Sequence, residues 1–181
     1  REFVVRNGRT YPDIYVIDTK KDGEGEPYHV EKGVDSERIF LGSVKDLVDP
    51  GRHTYELTYI VRDGIDREGD FDRLYWNVTG NYWQFPIEHT VATVSFPFDV
   101  NGNLRYFGYT GLNGSTDRDS SAQWKSPRTL AFSADRSFDP GEGLTILVEW
   151  PARTQGVATK FWLGLTQDRA FGIGMIGLAI L

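Results

Sequence analysis

The residues best suited to chemistry are five carboxylates, spaced two or three residues apart along one short stretch. They are Asp63, Asp66, Glu68, Asp70 and Asp72. Such carboxylates can converge on Ca²⁺, which takes six to eight oxygen ligands, or serve as an acid–base pair for glycoside hydrolysis when held ~5–9 Å apart. The Asp-x-Asp-x-Asp-Gly order of a calcium loop is absent, and the alternative is a solvated acidic loop. We take Asp66, Asp70 and Asp72 as candidate ligand-binding residues and expect Asp72 to accept hydrogen bonds from arginine or the backbone.

The densest aromatic stretch follows directly and contains Tyr75, Trp76, Tyr82 and Trp83. Aromatic rings exposed together on a β surface can stack on the apolar face of sugar rings. The alternative is that they fill the protein interior, which is the commoner use of tryptophan. We predict that Tyr75 and Trp76 belong to the structural core, and we take Tyr82 and Trp83 as candidate ligand-binding residues.

The residues between these aromatic pairs are typical of a tight turn. Asn77, Thr79, Gly80 and Asn81 are types that tolerate positive φ or hydrogen-bond local backbone groups. We therefore assign Asn77, Gly80 and Asn81 a structural role beside the aromatic core.

The sequence contains no recognisable catalytic, metal-binding or cofactor-binding motif. There are no cysteines, which excludes thiolate metal ligands and a cysteine nucleophile, and the three histidines are scattered. No nucleophile elbow, phosphate loop or His-Glu-x-x-His motif occurs. We assign no catalytic residue, metal or cofactor, and the sequence favours a non-enzymatic domain.

Charge narrows the possible partners. The formal net charge is −6 and the pI is about 5.1. An acidic domain repels phosphate backbones, so we expect no nucleic-acid partner, and anionic lipid headgroups are disfavoured for the same reason. A protein partner and a glycan both stay open.

The elements that must position these residues are strands. In residues 53–62 the side chains of Tyr55, Leu57, Tyr59 and Val61 fall on one face, which is typical of a strand with one buried side. The chain is 14% aromatic and contains 20 glycines and 8 prolines, a mixture that suits short strands joined by tight turns. Further strands are predicted at residues 13–18, 28–31, 38–41, 74–83, 88–96, 105–109, 129–132 and 144–150.

About nine strands at this spacing predict an all-β fold, an antiparallel β-sandwich with immunoglobulin-like layers. Residues 63–73 are rich in Asp and Gly, and residues 111–128 are rich in Gly, Ser, Asp and Asn, so we predict that both are surface loops, the second a long one.

The C-terminal stretch has a different composition. Residues 170–181 are twelve uncharged residues that include three glycines. A membrane-spanning helix needs ~20 apolar residues, so the stretch is either a final strand or buried tail, or the start of a transmembrane helix. Composition favours the membrane alternative. We predict an extracytoplasmic domain at 1–152, a juxtamembrane linker at 153–169 and the start of a transmembrane segment at 170–181.

The run from Asp72 to Asn81, Asp-Arg-Leu-Tyr-Trp-Asn-Val-Thr-Gly-Asn, resembles the core motif of the bacterial membrane proteins grouped as domain of unknown function 2207 (DUF2207). Trp83, Pro86-Ile87 and the Pro140–Thr145 run resemble further positions of that family, so the likeness extends over nearly the whole chain. It implies a domain outside the cytoplasm, followed by membrane helices. It also implies opening strands upstream of Arg1, so we expect the sandwich to lack its first strands. The activity of the family is unknown, and it supplies no catalytic residue.

Two hypotheses on function follow. The first is a binding, sensing or protein-interaction module on a membrane protein, with a surface patch and no deep pocket near residues 63–73 and 111–128. The second is a carbohydrate-binding or carbohydrate-active module that uses Tyr82, Trp83 and the carboxylates at 66–72. A structural scaffold for membrane partners is a third alternative.

Overall fold

The computed structural model describes residues 2–5, 14–33, 37–43, 45, 47–62, 64–100, 104–152, 161–166 and 176–180. Residues 2–5, 161–166 and 176–180 are described by their backbone pairing alone. Throughout this part of the chain the regular secondary structure is β, which confirms the all-β prediction.

The strands of the described residues are short, as the glycine and aromatic content predicts. In chain order they are β1 (Glu2–Val5), β2 (Ile14–Lys21), β3 (Glu24–Gly25), β4 (Tyr28–Lys32), β5 (Glu37–Leu41), β6 (Tyr55–Val61), β7 (Asp66–Glu68), β8 (Phe71–Asn77), β9 (Val91–Ser95), β10 (Arg105–Gly111), β11 (Ser120–Ser126), β12 (Thr129–Ala134), β13 (Gly143–Pro151), β14 (Phe161–Thr166) and β15 (Ile176–Ile180).

These strands form three sheets. The largest has the order β11-β12-β9-β14-β15-β6-β2-β3, the second β10-β13-β8-β7, and the smallest β1-β5-β4. All pairings are antiparallel except the one between β15 and β6.

The eight-stranded and four-stranded sheets pack face to face as a sandwich. Aromatic contacts cross the interface: Tyr59 of β6 lies 6.5 Å from Trp76 of β8, ring centre to ring centre. Tyr106 of β10 meets Phe132 of β12 edge-on at 6.3 Å. Each buried side chain of this size contributes about 1.5–3 kcal/mol through the removal of apolar surface from water, so the interface between the two sheets is the main source of stability.

Period-two alternation decides which side chains enter that core. In β6 the predicted inward set, Tyr55, Leu57, Tyr59 and Val61, is at most 4% exposed, and the residues between them are half-buried. The inward sets predicted for the strands at 88–96 and 144–150 are buried as well: Ala92, Val94, Phe96, Leu144, Ile146, Val148 and Trp150.

The two predicted loops are wrong in part. Residues 66–68 and 71–77 pair as the hairpin β7–β8, and residues 120–126 form β11 against β12. β7 is exposed at every position, and β11 is half-buried only at its first residue, Ser120, and at Trp124. An exposed edge strand has no buried face to impose alternation, so its sequence looks like a loop although its backbone is paired.

A two-residue turn joins the strands of the β7–β8 hairpin. Glu68 pairs with Phe71, which leaves Gly69 and Asp70 as a two-residue connection. Gly69 has φ of 60°, a conformation that a residue without Cβ adopts without strain.

In the C-terminal part, β14 pairs with β9, and β15 lies between β14 and β6. The predicted linker also includes 153–160 and 167–169, and the predicted transmembrane start includes 170–175 and 181, all outside the described residues. The division into domain, linker and membrane segment therefore stays a prediction. Among the residues described, no helix has the length and hydrophobicity needed to cross a membrane.

Candidate functional site

The outer face of the four-stranded sheet carries side chains in three cross-strand rows. Antiparallel pairing places partners from β8, β13 and β10 side by side on one face. From one end of the sheet to the other, the rows are Arg73–Glu149–Arg105, Tyr75–Leu147–Phe107 and Asn77–Thr145–Tyr109.

The first row is an ion pair network around a buried carboxylate. Glu149 is only 6% exposed. Its Oε1 accepts a hydrogen bond from Arg73 Nε at 2.9 Å, and its Oε2 forms an ion pair with Arg105 Nε at 3.1 Å. Arg73 also pairs with Glu68 of the neighbouring hairpin. A buried carboxylate needs such partners to offset the loss of water, so this row anchors one end of the sheet.

The apolar middle of the face is covered from one side by Arg118. The guanidinium carbon of Arg118 lies 4.3 Å from the ring centre of Phe107 and 5.5 Å from that of Tyr109. The two rings are tilted neighbours at 6.2 Å. On the other side, Tyr75 is uncovered, with 52% of its surface exposed.

An open depression of about 270 Å³ lies at the Asn77 end of this face. Tyr75, Tyr109 and Thr145 line it from the strands, and Asn81 and residues 110–116 complete its wall, together with Gly143. All of the residues that line it are uncharged, although charged residues make up 25% of the chain.

Two asparagine side chains hold the wall of the depression together. Asn81 Nδ2 donates to the carbonyl oxygens of Gly111 and Gly141, each at 3.1 Å. Asn81 Oδ1 accepts from Asn77 Nδ2 at 2.6 Å, and Asn77 Oδ1 accepts from the Gly80 N–H at 2.9 Å. One amide pair thus ties the β8–β9 connection to the β10–β11 loop and to the turn before β13.

Thr79 and Gly143 seal the same junction. The Thr79 hydroxyl accepts from the Leu144 N–H at 2.9 Å and donates to the Gly80 carbonyl at 3.0 Å. A Cβ on Gly143 would overlap the Thr79 hydroxyl and lie 2.5 Å from the Gly80 oxygen. Only glycine fits this position.

A second clamp fixes the turn that contains Gly141. Arg136 holds Glu142 with two hydrogen bonds, of 2.5 and 3.0 Å, and donates from Nε to Asp119 at 2.9 Å. The hydrogen bonds from Arg136, and then the N–H of Asp139, lower the pKa of Glu142 below its ordinary value. In turn, the hydrogen bonds to Glu142 and then to Asp119 raise the pKa of Arg136.

Four of the predicted carboxylates, Asp66, Glu68, Asp70 and Asp72, lie elsewhere, on the β7–β8 hairpin, and Asp63 lies outside the described residues. Asp72 accepts a hydrogen bond from Arg67 Nε at 2.9 Å, the kind of contact predicted for it. Asp66 and Asp70 are exposed, and the Asp70 carbonyl accepts from the Ala152 N–H. Within the described part of the chain, no three His, Asp or Glu residues are grouped so that they could hold a metal ion.

The burial of the four predicted aromatic residues differs in part from the expectation. Trp76 is buried, at 3% exposure, whereas Tyr75 points outward from between the inward-facing Leu74 and Trp76, so its assignment to the core is wrong. Tyr82 is 54% exposed. Trp83 is partly buried: its Nε1 donates to the Thr79 carbonyl at 2.6 Å, and its ring lies 5.2 Å from that of Phe85.

The structure does not bring the two predicted groups of ligand-binding residues together. Asp72 and Asn77 stand near opposite ends of β8, about 16 Å apart at the usual rise per residue. Trp83 is bonded to Thr79 just beyond the Asn77 end, whereas the carboxylates cluster at the Asp72 end.

From the sequence, a surface patch was predicted near residues 111–128, but Tyr109 and Thr145 were not predicted to belong to a site. Alternation along each strand indicated which side chains share a face, since Arg105, Phe107 and Tyr109 alternate along β10 as Arg73 and Tyr75 do along β8. The two sets lie on one face of the same sheet because both strands pair with β13.

Comparison with known proteins gives a family but no structural template. Residues 1–150 match the family described as the N-terminal domain of predicted membrane protein DUF2207. The chain is also 32% identical over 143 residues to the Escherichia coli (strain K12) protein named Uncharacterized protein YciQ. That alignment covers 77% of this chain and 21% of the relative, so the chain spans about a fifth of the relative's length. No solved structure matches.

Proposed function

Since the chain belongs to the DUF2207 family of predicted membrane proteins, we propose that it is the extracytoplasmic binding module of a membrane-anchored protein. In this proposal the module meets its partner through the outer face of the four-stranded sheet, and the membrane anchor presents that face to the surroundings of the cell.

One observation carries the proposal: the uncovered aromatic end of that face. Tyr75 is more than half exposed and borders an open depression whose wall, apart from Leu112, consists of hydroxyl, amide and glycine residues. The remainder of the face is held in place by the Arg73–Glu149–Arg105 row and by Arg118 over Phe107. A rigid sheet with aromatic and polar groups at one end suits recognition, because little side-chain entropy is lost when a partner binds.

The geometry does not favour the carbohydrate-active alternative in its predicted form. An acid–base pair close to a sugar-stacking ring would need the carboxylates of the β7–β8 hairpin beside Tyr82 or Trp83. Those groups lie near opposite ends of β8, and Asp72 is engaged with Arg67. Binding, rather than hydrolysis, is the function that the arrangement supports.

Photocrosslinking tests the binding surface. A photoreactive phenylalanine analogue replaces Tyr75 or Tyr109 in the full-length protein in its native membranes, and Ser121 on the exposed strand β11 receives the same analogue as a control. We expect light-dependent adducts from positions 75 and 109 and none from 121. Equal adducts at all three positions, or none at 75 and 109, would overturn the proposal.

Cysteine labelling tests the side of the membrane. The chain contains no cysteine, and Leu47, which does not line the depression, is 97% exposed, so Leu47→Cys gives a unique reactive thiol in this domain. We expect a membrane-impermeant maleimide to label it in cells whose cytoplasmic membrane is intact. Labelling only after lysis would place the domain in the cytoplasm and contradict the proposal.

A further inference from the structure

We propose that the depression between Tyr75 and Tyr109 binds a neutral carbohydrate. The inference rests on the proposed function and adds the ligand class to it. It uses Tyr75, Tyr109, Thr145 and the 110–116 segment, rather than the carboxylates and tryptophan considered from the sequence.

Charge is the first argument. None of the twelve residues that line the depression is charged, in a chain with 26 acidic and 20 basic residues. A site for a phosphate, a carboxylate or a metal ion needs opposite charge or coordinating oxygens to offset the loss of water from the ion. The lining offers no charged group, and its side-chain oxygens belong to neutral hydroxyl and amide groups, so the matching ligand is polar and uncharged.

The spacing of the tyrosines is the second argument. They stand on β8 and β10, on either side of β13, in neighbouring rows: Tyr75 pairs with Leu147 and Tyr109 with Thr145. Two strand spacings of about 4.8 Å and a two-residue offset of about 7 Å along the strands place the two tyrosine backbones roughly 12 Å apart. This diagonal spacing admits one sugar ring beside Thr145, with its C–H face against a tyrosine ring.

The third argument is the hydrogen-bonding character of the wall. Thr145, Thr116, Asn113 and Ser115 carry hydroxyl or amide groups that both donate and accept, as sugar hydroxyls do. The Asn81 amide is excluded from this role, because its NH₂ group donates to Gly111 and Gly141. The ligand would therefore be read by the strand and loop hydroxyls, while Asn81 keeps the wall in place.

The loop is ordered before any ligand arrives. The Thr110 N–H donates to the Asp117 carbonyl at 2.8 Å, and the Ser115 N–H donates to the Leu112 carbonyl at 2.9 Å. Gly114 occupies positive φ, at 89°, within this turn. A preformed wall reduces the entropy lost on binding.

Calorimetric titration of the purified full-length protein with maltohexaose, cellohexaose and chitohexaose tests the inference, with polygalacturonate as the charged comparator. We expect at least one neutral oligosaccharide to bind. Tyr75→Ala and Tyr109→Ala should each weaken that binding about threefold to tenfold, the range expected for one aromatic contact. Tyr28→Ala removes a tyrosine of similar exposure, 46%, from β4 of the three-stranded sheet, and should leave the affinity unchanged.

The possible results separate the ligand class from the binding surface. If none of the neutral sugars binds, if polygalacturonate alone binds, or if Tyr28→Ala weakens binding as much as Tyr75→Ala, the carbohydrate inference is overturned. If the crosslinks at positions 75 and 109 are still observed in that case, this face is the binding surface for a partner of another class. If both experiments fail, the proposed function fails with the inference. Circular dichroism of each variant shows whether a loss of affinity is caused by a loss of folded structure.

Discussion

At the residue scale, the side chain of Asn81 connects three segments of the chain by hydrogen bonds. Its amide NH₂ group satisfies two backbone carbonyls from two other loops, and its oxygen accepts from Asn77. The sequence marks Asn81 as a turn residue because asparagine suits turns, but nothing in the local pattern reveals partners at Gly111 and Gly141.

We predict that Asn81→Asp destabilises the domain by about 2–4 kcal/mol. The substitution keeps the shape but replaces the NH₂ donors by a carboxylate oxygen that faces two carbonyls, so two hydrogen bonds are lost and two acceptors are left unpaired. Urea unfolding measures the change. Asn113→Asp is the matched control on the exposed loop and should change stability by less than about 0.5 kcal/mol. An equal effect of the two substitutions would contradict the role given to Asn81.

Glu149 is a residue that the sequence analysis missed, because a carboxylate inside an otherwise apolar strand has no local partner. We predict that Glu149→Gln destabilises the protein by about 1–3 kcal/mol, since the hydrogen bond from Arg73 loses its charged acceptor and Arg105 loses its ion-pair partner. Glu68→Gln removes the 62% exposed carboxylate that pairs with the same Arg73 and should cost under about 1 kcal/mol. Thermal unfolding of both variants compares them, and a larger loss for Glu68→Gln would refute the assignment.

At the scale of elements, a histidine links the connection before β6 to the β2–β3 hairpin. His53 bonds the Asp22 carboxylate through Nδ1 and the Asp49 carbonyl through Nε2, each at 2.8 Å. Asp22 opens the two-residue turn with φ of 53°, and its carboxylate also accepts from the Thr54 N–H. The bond to Asp22, and then that to Asp49, raises the pKa of His53, while His53 and then Thr54 lower the pKa of Asp22.

This pair predicts a pH window for the hairpin connection. The His53 contribution to stability is complete below its unfolded pKa, near 6.5, and is lost as pH rises through the higher folded value. The Asp22 contribution is complete above about 3.8 and is lost as pH falls through the lower folded value. Melting temperatures measured from pH 5 to 9 should therefore fall more for the native protein than for His53→Gln as pH rises from about 6 upward. Parallel curves for the two proteins would show that His53 contributes nothing to the pH dependence of stability.

The strands also show which elements the sequence can predict. β6 and β13 were predictable because one face of each is buried, and burial imposes a period of two on the side chains. β7 and β11 were not predictable, since their stability comes from backbone pairing with β8 and β12 rather than from an apolar face.

At the scale of the whole molecule, the candidate site arises from contacts between distant parts of the chain. Tyr75 and Tyr109 line the same depression because β13, some seventy positions after β8, pairs with both of their strands. Strand order and register decide this pairing, and local sequence does not encode them. The sequence could therefore supply the alternation of both tyrosines but not their convergence, and it grouped Tyr82 and Trp83 with carboxylates from the far end of β8.

The family match places this sandwich in a predicted membrane protein, and the outer face of the four-stranded sheet is the surface that such a protein would present in our proposal. The glycine at position 143, the Asn77–Asn81 pair and the Arg136 clamp all stabilise the same end of that sheet. This concentration of structural contacts keeps the rim of the depression rigid while Tyr75 stays exposed.

Tyrosine footprinting of the full-length protein tests the central claim most directly. Oxidative labelling followed by mass spectrometry compares native membranes with protein purified in detergent. We predict that Tyr75 and Tyr109 are protected in native membranes and become more reactive on purification, while Tyr28 keeps the same reactivity in both. Unchanged reactivity of Tyr75 and Tyr109, or equal protection of Tyr28, would contradict the claim that this face is where the protein meets its partner.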